Sequence, residues 1–126
     1  MLLLGDPWQQ AHGLTGTFKV PYCLGALEKK KPHYDLGTIQ ATFCLVEALR
    51  ITKTALTCAE TIGLTLQDVV DIIQAITRRH FYKSMTSFAS SAIWQDVYHV
   101  PHQGIVLYVK FTTDVEGYLI ISLKEK

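Results

Sequence analysis

Three short blocks in the last third of the chain carry residue types that can cleave RNA. The blocks run from Phe81 to Thr86, from Trp94 to Tyr98 and from Leu123 to Lys126, with Tyr108 between the second and the third. They place two lysines, a glutamine and a tyrosine on predicted neighbouring strands. Attack by a ribose 2′-OH on the adjacent phosphate builds negative charge there, and preorganised cations and hydrogen-bond donors stabilise that charge. Since a tyrosine can also donate or accept a proton, the set points to RNA cleavage without a metal.

The same blocks, in the same order, resemble the motility quorum-sensing regulator (MqsR) family. The resemblance extends from about Leu27 to Lys126 and is strongest from Phe81 onward. Three motifs in order, with near-family spacing, are far more specific than any one of them. The segments that carry the likeness are Tyr82 to Thr86, Ile93 to Tyr98, Ser122 to Lys126 and, near the start, Glu28 to His33.

Members of this family are toxins of bacterial toxin–antitoxin pairs and work as mRNA interferases with a RelE-like fold. By resemblance, Lys83 and Lys124 would hold the scissile phosphate and stabilise its developing charge. Tyr108 would take part in proton transfer or orient the attacking 2′-OH, and Gln95 would position the substrate by hydrogen bonds. All four residue types of the family's catalytic positions are retained at Lys83, Gln95, Tyr108 and Lys124.

The resemblance also implies a function and partners for the whole chain. It implies the toxin of a type II toxin–antitoxin system, a ribosome-independent and metal-independent endoribonuclease. Such a toxin would cut single-stranded mRNA at short GC-containing sites and arrest translation and growth. The second partner would be a cognate antitoxin with a zinc-binding domain and a helix-turn-helix domain. No cofactor and no metal are expected, and the protein would act in the cytoplasm.

Side chains near these positions are candidates for RNA contact. Tyr82 and Tyr98 could stack on bases, as aromatic side chains do in readers of single-stranded RNA. Lys110 shares a strand face with Tyr108 and could meet a phosphate. His99 follows Tyr98 where family members often carry arginine, and a neutral imidazole lacks an arginine's fixed fork of donors. This difference predicts weaker RNA binding or a changed pH profile.

Each of these residues also has a purely structural explanation. A terminal lysine is most often part of a solvated strand edge, and a sheet tyrosine is most often half-buried. A catalytic role is favoured only because all four residues together match the family's catalytic positions. One alternative is a catalytically degenerate protein that still binds an antitoxin, which incubation with RNA in EDTA would distinguish from a nuclease. Another is a thiol hydrolase using Cys44 or Cys58, but neither cysteine has an activating arrangement in the sequence.

Length and composition limit what the chain can be. Its 126 residues, 48% hydrophobic and 18% charged, have room for one folded domain with a modest core. The net charge of +1 lacks the positive excess of many RNA binders, so any RNA site must be a local basic patch. Three widely spaced cysteines without a C-x-x-C motif argue against a zinc site and predict reduced, mostly buried thiols. No apolar stretch approaches the roughly 20 residues needed to span a membrane.

Hydrophobic spacing predicts three helices in the first half of the family-like part. Gly63 is a stop signal for the second helix. The third begins at Thr65, whose hydroxyl can cap the first turn, while the Asp68 carboxylate favours the positive helix end. The predicted ranges are Asp35 to Leu49, Thr52 to Ile62, and Thr65 to about Ile76, with Ile39, Phe43, Leu66, Val69 and Ile73 among the buried positions.

From residue 83 onward the period changes to two, which predicts an antiparallel meander of four strands. Because the helices precede the strands, the predicted fold class is α+β, with the helices packed on one sheet face. Opposed residues of an antiparallel pair share a face, so we expect Tyr108 and Lys124 in one cleft unless the register slips by one. The predicted strands are Lys83 to Phe88, Trp94 to Val100, Ile105 to Phe111 and Tyr118 to Lys124, with a turn over Asp114 to Gly117.

Residues 1–26 differ from the rest of the chain. Glycine and proline punctuate this segment, and only a weak strand signal remains around Thr15 to Val20. We therefore expect a poorly ordered N-terminal extension over residues 1–26 and an MqsR-like toxin domain over residues 27–126. An added strand or a partner-binding arm is the alternative. Met1 to Leu4 begins like a signal peptide but lacks a positive region and is broken by Asp6-Pro7.

Overall fold

The computed structural model describes residues 2–3, 27–86 and 92–126. The weak strand signal around Thr15 to Val20 lies outside the described residues, as does Phe88 at the end of one predicted strand. The predicted domain boundary near residue 27 stays a prediction. Within the described ranges, no helix is both long and apolar enough to cross a bilayer.

Capping groups fix the ends of the helices. The helices are α1 (Leu36–Thr42), α2 (Lys53–Thr61) and α3 (Leu66–Ala75). At the start of α3, the Asp68 N–H donates to the Thr65 hydroxyl at 3.1 Å, and the Thr65 N–H donates to the Asp68 carboxylate at 2.9 Å. Gly63, just beyond α2, has a φ of 85°, a left-handed conformation that side chains disfavour. The predicted N-cap of α3 at Thr65 and the predicted end of α2 at Gly63 are both confirmed.

The first helix is shorter than its hydrophobic spacing predicts. A 3-10 turn over Val46–Ala48 replaces the predicted last turns of α1. The Gln74 amide donates to the carbonyls of Gln40 and Phe43 at 2.8 and 3.3 Å. These helix-end acceptors are therefore satisfied by α3 and need no further helical turn. The prediction of a buried Leu66 is also wrong, since its side chain is 38% exposed.

Seven strands form one sheet in the described ranges. They are β1 (Leu2–Leu3), β2 (Glu28–Lys29), β3 (Ile51–Thr52), β4 (Phe81–Thr86), β5 (Trp94–His102), β6 (Ile105–Thr113) and β7 (Leu119–Glu125). Their spatial order is β1-β3-β7-β6-β5-β4-β2. The long strands β4 to β7 form the predicted antiparallel meander, whereas β1 and β3 pair in parallel beyond β7. The two-residue strands could not be predicted from the sequence, because a segment of two residues is too short to show an alternating pattern.

The core lies between the helices and one face of the sheet. Phe43 of α1 stacks on Phe111 of β6, with ring centroids 6.4 Å apart. Side chains alternate along each strand, so the chemistry-bearing residues of β4 to β7 project from the other face. The α+β fold class with helices on one face is thus confirmed. The core side chains of the sheet include Tyr98, Val100, Leu107, Val109, Phe111, Ile121 and Leu123.

The cysteines do not match their predicted burial. Cys44 is exposed and Cys58 is half-buried, and both are free thiols. Cys44 follows the shortened α1, so it lies in a loop rather than on an apolar helix face. The prediction of a buried thiol is therefore wrong for Cys44. Cys23 lies outside the described residues.

Candidate active site

Tyr108 and Lys124 are directly opposed on neighbouring strands. The register of β6 against β7 pairs Tyr108 with Lys124, and the same row pairs Tyr108 with His99 of β5. The Lys124 ammonium lies 5.9 Å from the centre of the Tyr108 ring. The predicted register is confirmed, so a phenol and an ammonium group share one partly exposed cleft on the face away from the helices.

A cluster of three aromatic rings occupies this cleft. The His99 ring stacks on Tyr82 and on Tyr108, with centroids 4.3 and 4.6 Å apart. The two tyrosine rings are themselves 6.5 Å apart. This distance is well short of the sum of the other two, so the centroids form a triangle rather than a straight column. We call these three residues the aromatic triangle.

A β-bulge brings Tyr82 into the aromatic triangle. Phe81 pairs with Tyr98 and Lys83 pairs with Val97, which leaves Tyr82 as an extra residue on β4. Such an extra residue re-aims side chains that would otherwise alternate. Phe81 packs against the core, whereas both Tyr82 and Lys83 reach the opposite face. The Tyr82 side chain is 41% exposed there.

Lysines surround the aromatic triangle. The ammonium groups of Lys30 and Lys83 lie 5.5 and 5.4 Å from the centre of the Tyr82 ring. Lys83 also forms an ion pair with Glu28 at 2.7 Å. Lys30, Lys83 and Lys124 therefore form a local basic patch on a nearly neutral chain, part of which the Glu28 carboxylate offsets. No local pattern in the sequence predicts the pairing of Glu28 with Lys83, because the two residues are 55 positions apart.

Gln95 shares the face but not the cleft. It pairs with Met85, four residues along β5 from His99. At the usual rise along a strand this separates Gln95 from the aromatic triangle by about 13 Å. Its side chain is also 4% exposed. The register therefore opposes Tyr108 and Lys124 directly. Lys83 lies beside the Tyr82 ring, and Gln95 is its diagonal neighbour across β4 and β5 rather than a neighbour of Tyr108.

Two of the predicted RNA contacts are buried. Tyr98 is 0% exposed on the helix-facing side of β5, where burial, and then the neighbouring Asp96, raise the pKa of its hydroxyl to about 12. Adjacent residues of a strand point to opposite faces, so Tyr98 and His99 do not meet the same ligand. Lys110 is on the same face as Tyr108, but it is also 0% exposed. Neither Tyr98 nor Lys110 therefore belongs to the exposed surface that RNA could contact.

His99 is held as a neutral imidazole. Burial lowers the pKa of His99, and the positive charge of Lys126 lowers it further. Its Nε2 atom is buried and has no hydrogen-bond partner among the described residues. Ring stacking on two tyrosines thus fixes the imidazole in place of a hydrogen bond to Nε2.

Asp96 is a buried residue that the sequence-based prediction did not include. Its carboxylate accepts hydrogen bonds from the backbone N–H groups of His33 and Tyr34 at 2.9 and 2.8 Å, and from the Ser84 hydroxyl at 2.7 Å. It therefore ties the segment after β2 to the centre of the sheet. The alternation of β5, which turns Asp96 inward beside Tyr98, was the signal available in the sequence. Asp96 has a positioning role, because it lies on the core side.

Potential metal ligands are scattered rather than clustered. Over residues 2–3, 27–86 and 92–126, no three His, Cys, Asp or Glu side chains are grouped to hold an ion. His33 stacks on Trp94 at 5.5 Å and lies 2.9 Å from the Lys29 ammonium through Nδ1. This second aromatic group lies on the helix side of the sheet, away from the aromatic triangle.

The chain is similar to known proteins over most of its length. A family model described as the motility quorum-sensing regulator, toxin of MqsA, matches residues 31–125. The mRNA interferase toxin MqsR of Escherichia coli strain K12 is 36% identical over 102 residues. That alignment covers 79% of this chain and 100% of the E. coli protein.

Proposed function

The chain belongs to the motility quorum-sensing regulator family of toxins, and we propose that it is an mRNA interferase. It would cleave single-stranded mRNA without a ribosome and without a metal ion, at short GC-containing sites, and so arrest translation and growth. It would act in the cytoplasm. The relative's own name, mRNA interferase toxin, supports the assignment.

One observation carries the proposal. Tyr108 and Lys124 are register partners on the sheet face away from the helices, both partly exposed, with a ring-to-ammonium distance of 5.9 Å. A phenol next to a fixed cation combines a proton donor or acceptor with charge stabilisation at one point. Lys83, near the Tyr82 ring, adds a second cation to the same cleft.

The proposed reaction moves few atoms. The 2′-oxygen attacks the adjacent phosphorus, and the bond from phosphorus to the 5′-oxygen breaks. The products are a 2′,3′-cyclic phosphate and a 5′-hydroxyl, with no water consumed. Lys83 and Lys124 would hold the phosphate oxygens, and Tyr108 would accept the 2′-OH proton or orient that group. Gln95, only 4% exposed and about 13 Å from His99 along the strand, would position neighbouring side chains rather than touch the reacting phosphate.

Two further parts of the proposal concern recognition. Tyr82 and His99 would contact RNA bases or phosphates within the cleft, beside Lys30. The toxin would be neutralised by an antitoxin with a zinc-binding domain and a helix-turn-helix domain. The family description, toxin of MqsA, supports the existence of an antitoxin partner. The start of the matched region at residue 31 supports a separate N-terminal extension.

A second candidate function has an observation in its favour. Lys83 is already neutralised by Glu28 at 2.7 Å, and Gln95 is almost fully buried. A cleft with both groups withheld from RNA is expected of a degenerate toxin that binds its antitoxin without cutting RNA. Glu28→Gln distinguishes the two candidates. It should raise the cleavage rate of an active nuclease by releasing Lys83, and it should leave a degenerate protein inactive.

The test of the function is cleavage of a mixed-sequence RNA by the purified protein in EDTA. We expect fragments that end in a 2′,3′-cyclic phosphate or a 3′-phosphate, and a large loss of cleavage in Lys124→Ala. A folded wild-type protein that leaves every RNA intact would support the degenerate toxin instead. Fragments ending in a 3′-hydroxyl would contradict the mechanism, because they require attack by water.

A further inference from the structure

The imidazole of His99 lies at the centre of the proposed RNA-binding face. It contacts both tyrosine rings of the aromatic triangle, at 4.3 and 4.6 Å between centroids. Its buried Nε2 finds no hydrogen-bond partner among the described residues. A buried polar atom left in this state is unfavourable, and native structures usually retain one only where something else depends on it.

The charges around His99 are mostly positive. On the strands that flank β5, Lys83 and Lys110 come from β4 and β6, and Lys124 comes from β7 beyond them. Lys126 follows at the end of the chain, and Lys30 lies by the Tyr82 ring. Among the residues that the structure describes, the acidic group beside them is Glu28, and it is paired with Lys83. The turn over Arg78–His80 also contacts β5, but the Arg78 guanidinium lies 6.0 Å from the Phe81 ring, which packs against the core rather than beside His99.

The free protein therefore resists a charge on His99. Burial and Lys126 both lower its pKa from the ordinary value near 6.5. A bound RNA phosphate would reverse this balance, because its negative charge lies within the same cleft and offsets the lysines. The rings of Tyr82 and Tyr108, which both contact His99, then favour the imidazolium over the imidazole, because the faces of aromatic rings attract cations.

We propose that His99 takes up one proton when RNA binds, and that the resulting imidazolium, held on Tyr82 and Tyr108, is an additional cation for the RNA phosphate backbone. The proton comes from solvent and returns there on release. This inference rests on the proposed function, because it assigns a role to a residue of the same RNA-binding face. His99 is here a binding residue that also positions the Tyr108 ring.

The sign of the pH dependence follows from linkage. Below the pKa of free His99, both states are protonated and affinity is independent of pH. Between the pKa values of the free and the bound protein, each binding event takes up a proton, so Kd rises by up to about tenfold per pH unit as pH increases. Above the pKa of the bound state the dependence disappears again. The window begins below pH 6.5, at the lowered pKa of free His99, and extends upward to the pKa of the bound state.

The experiment measures Kd for a single-stranded 2′-O-methyl oligonucleotide that contains GC steps and lacks the attacking hydroxyl. Fluorescence anisotropy is recorded at constant ionic strength from about pH 5 to about pH 8.5. His99→Gln removes the titration and keeps a polar side chain. His99→Arg keeps a permanent cation that stacks on aromatic rings. His33→Gln is the matched control, because His33 lies on the other side of the sheet beside Trp94.

The expected results separate the variants. Wild type and His33→Gln should show the same rise of Kd with pH. His99→Gln should bind with a flat, weak profile, and His99→Arg with a flat profile as tight as the wild type at low pH. A His99→Gln profile that rises as steeply as the wild type's overturns the inference but leaves the proposed function standing. Failure of the folded wild type to bind the oligonucleotide at any pH overturns both.

Discussion

At the scale of single residues, three tyrosines of the same region have different chemistry because of where they lie. Tyr98 is buried in the core, and its raised pKa keeps the hydroxyl protonated. Tyr82 is exposed on a bulge and offers a ring for stacking. Tyr108 is intermediate in exposure, and Lys124 lies directly opposite it on the neighbouring strand. Residue type alone therefore does not single out Tyr108 for the proposed reaction, whereas its partner on the neighbouring strand does.

The first prediction concerns Tyr108→Phe. Phenylalanine keeps the ring contact with His99 and removes only the hydroxyl, so the fold and RNA binding should persist. We expect the cleavage rate to fall by about 10²- to 10³-fold, the usual effect of losing one preorganised donor. Single-turnover cleavage of a labelled RNA measures this. Tyr118→Phe is the control, since its exposed ring lies by Arg50 outside the cleft. Equal rates for the wild type and Tyr108→Phe would remove the hydroxyl from the mechanism.

At the scale of elements, the sequence predicted the parts that depend on periodicity. The meander, the capping residue of α3 and the pairing of Tyr108 with Lys124 all follow from spacing alone, because one register puts the aliphatic side chains of β6 and β7 against the helices. A register shifted by one residue would have turned these aliphatic side chains away from the helices. The helix-facing side of β6 and β7 was thus predictable from alternation, whereas Tyr98 of β5, predicted to contact RNA, lies on that side as well.

The remaining features of the site depend on irregularities that spacing does not record. The bulge at Phe81 and Lys83 adds one residue to β4, and this turns Tyr82 toward His99. Lys110 alternates correctly with Leu107 yet is fully buried, because alternation assigns a face but not whether that face is covered. The ion pair of Lys83 with Glu28 joins residues 55 positions apart, beyond any local pattern.

The second prediction concerns Asp96→Ala, which removes the buried acceptor that joins the segment after β2 to β5. Three donors, the N–H groups of His33 and Tyr34 and the Ser84 hydroxyl, would lose their partner. Each unsatisfied buried donor costs about 1–3 kcal/mol, so we expect the free energy of unfolding to fall by more than about 2 kcal/mol. Urea denaturation measures this.

The control for Asp96 is Asp71→Ala on the exposed side of α3. Asp71 accepts one exposed hydrogen bond from Gln67 at 3.0 Å, so its loss should change stability by no more than about 0.5 kcal/mol. If the two variants were equally stable, the Asp96 carboxylate would have no structural role in joining the segment to the sheet.

The third prediction concerns the turn between β6 and β7, where Asp114 organises the chain. Hydrogen bonds from the Tyr118 and Glu116 N–H groups, and then the charge of Arg50 at 2.9 Å, lower the pKa of Asp114. A lowered folded-state pKa adds stability above the unfolded value near 3.9, and that stability is lost as pH falls through the folded value.

Asp114→Asn tests this dependence because asparagine does not titrate. The wild type should be more stable than the variant at neutral pH, and the difference should shrink as pH is lowered from about 5 toward 2. Chemical denaturation at several pH values measures the difference. A gap that stays constant over this range would mean that ionisation of Asp114 does not stabilise the turn.

At the scale of the whole molecule, the net charge is small but several lysines are concentrated in one region. The net charge is +1, yet Lys30, Lys83 and Lys124 all lie near the rings of the aromatic triangle. A toxin of this kind would bind RNA through a small patch and leave most of its surface neutral. Weak non-specific binding would follow, so the sequence of the RNA and the geometry of the cleft would account for much of its selectivity.

The last prediction follows from the size of this patch. Each phosphate neutralised on single-stranded RNA contributes a slope of about −0.7 to the dependence of log affinity on log salt, so about two to four contacts predict a total between about −1.4 and −2.8. The measurement uses an uncleavable oligonucleotide at about pH 8.5, where His99 is neutral in the free protein. Lys30→Ala should reduce the slope by one contact, whereas Lys53→Ala, at the exposed start of α2, should leave it unchanged. A total corresponding to eight or more phosphates would contradict the small patch, because it would require a basic surface that extends well beyond the cleft around the aromatic triangle.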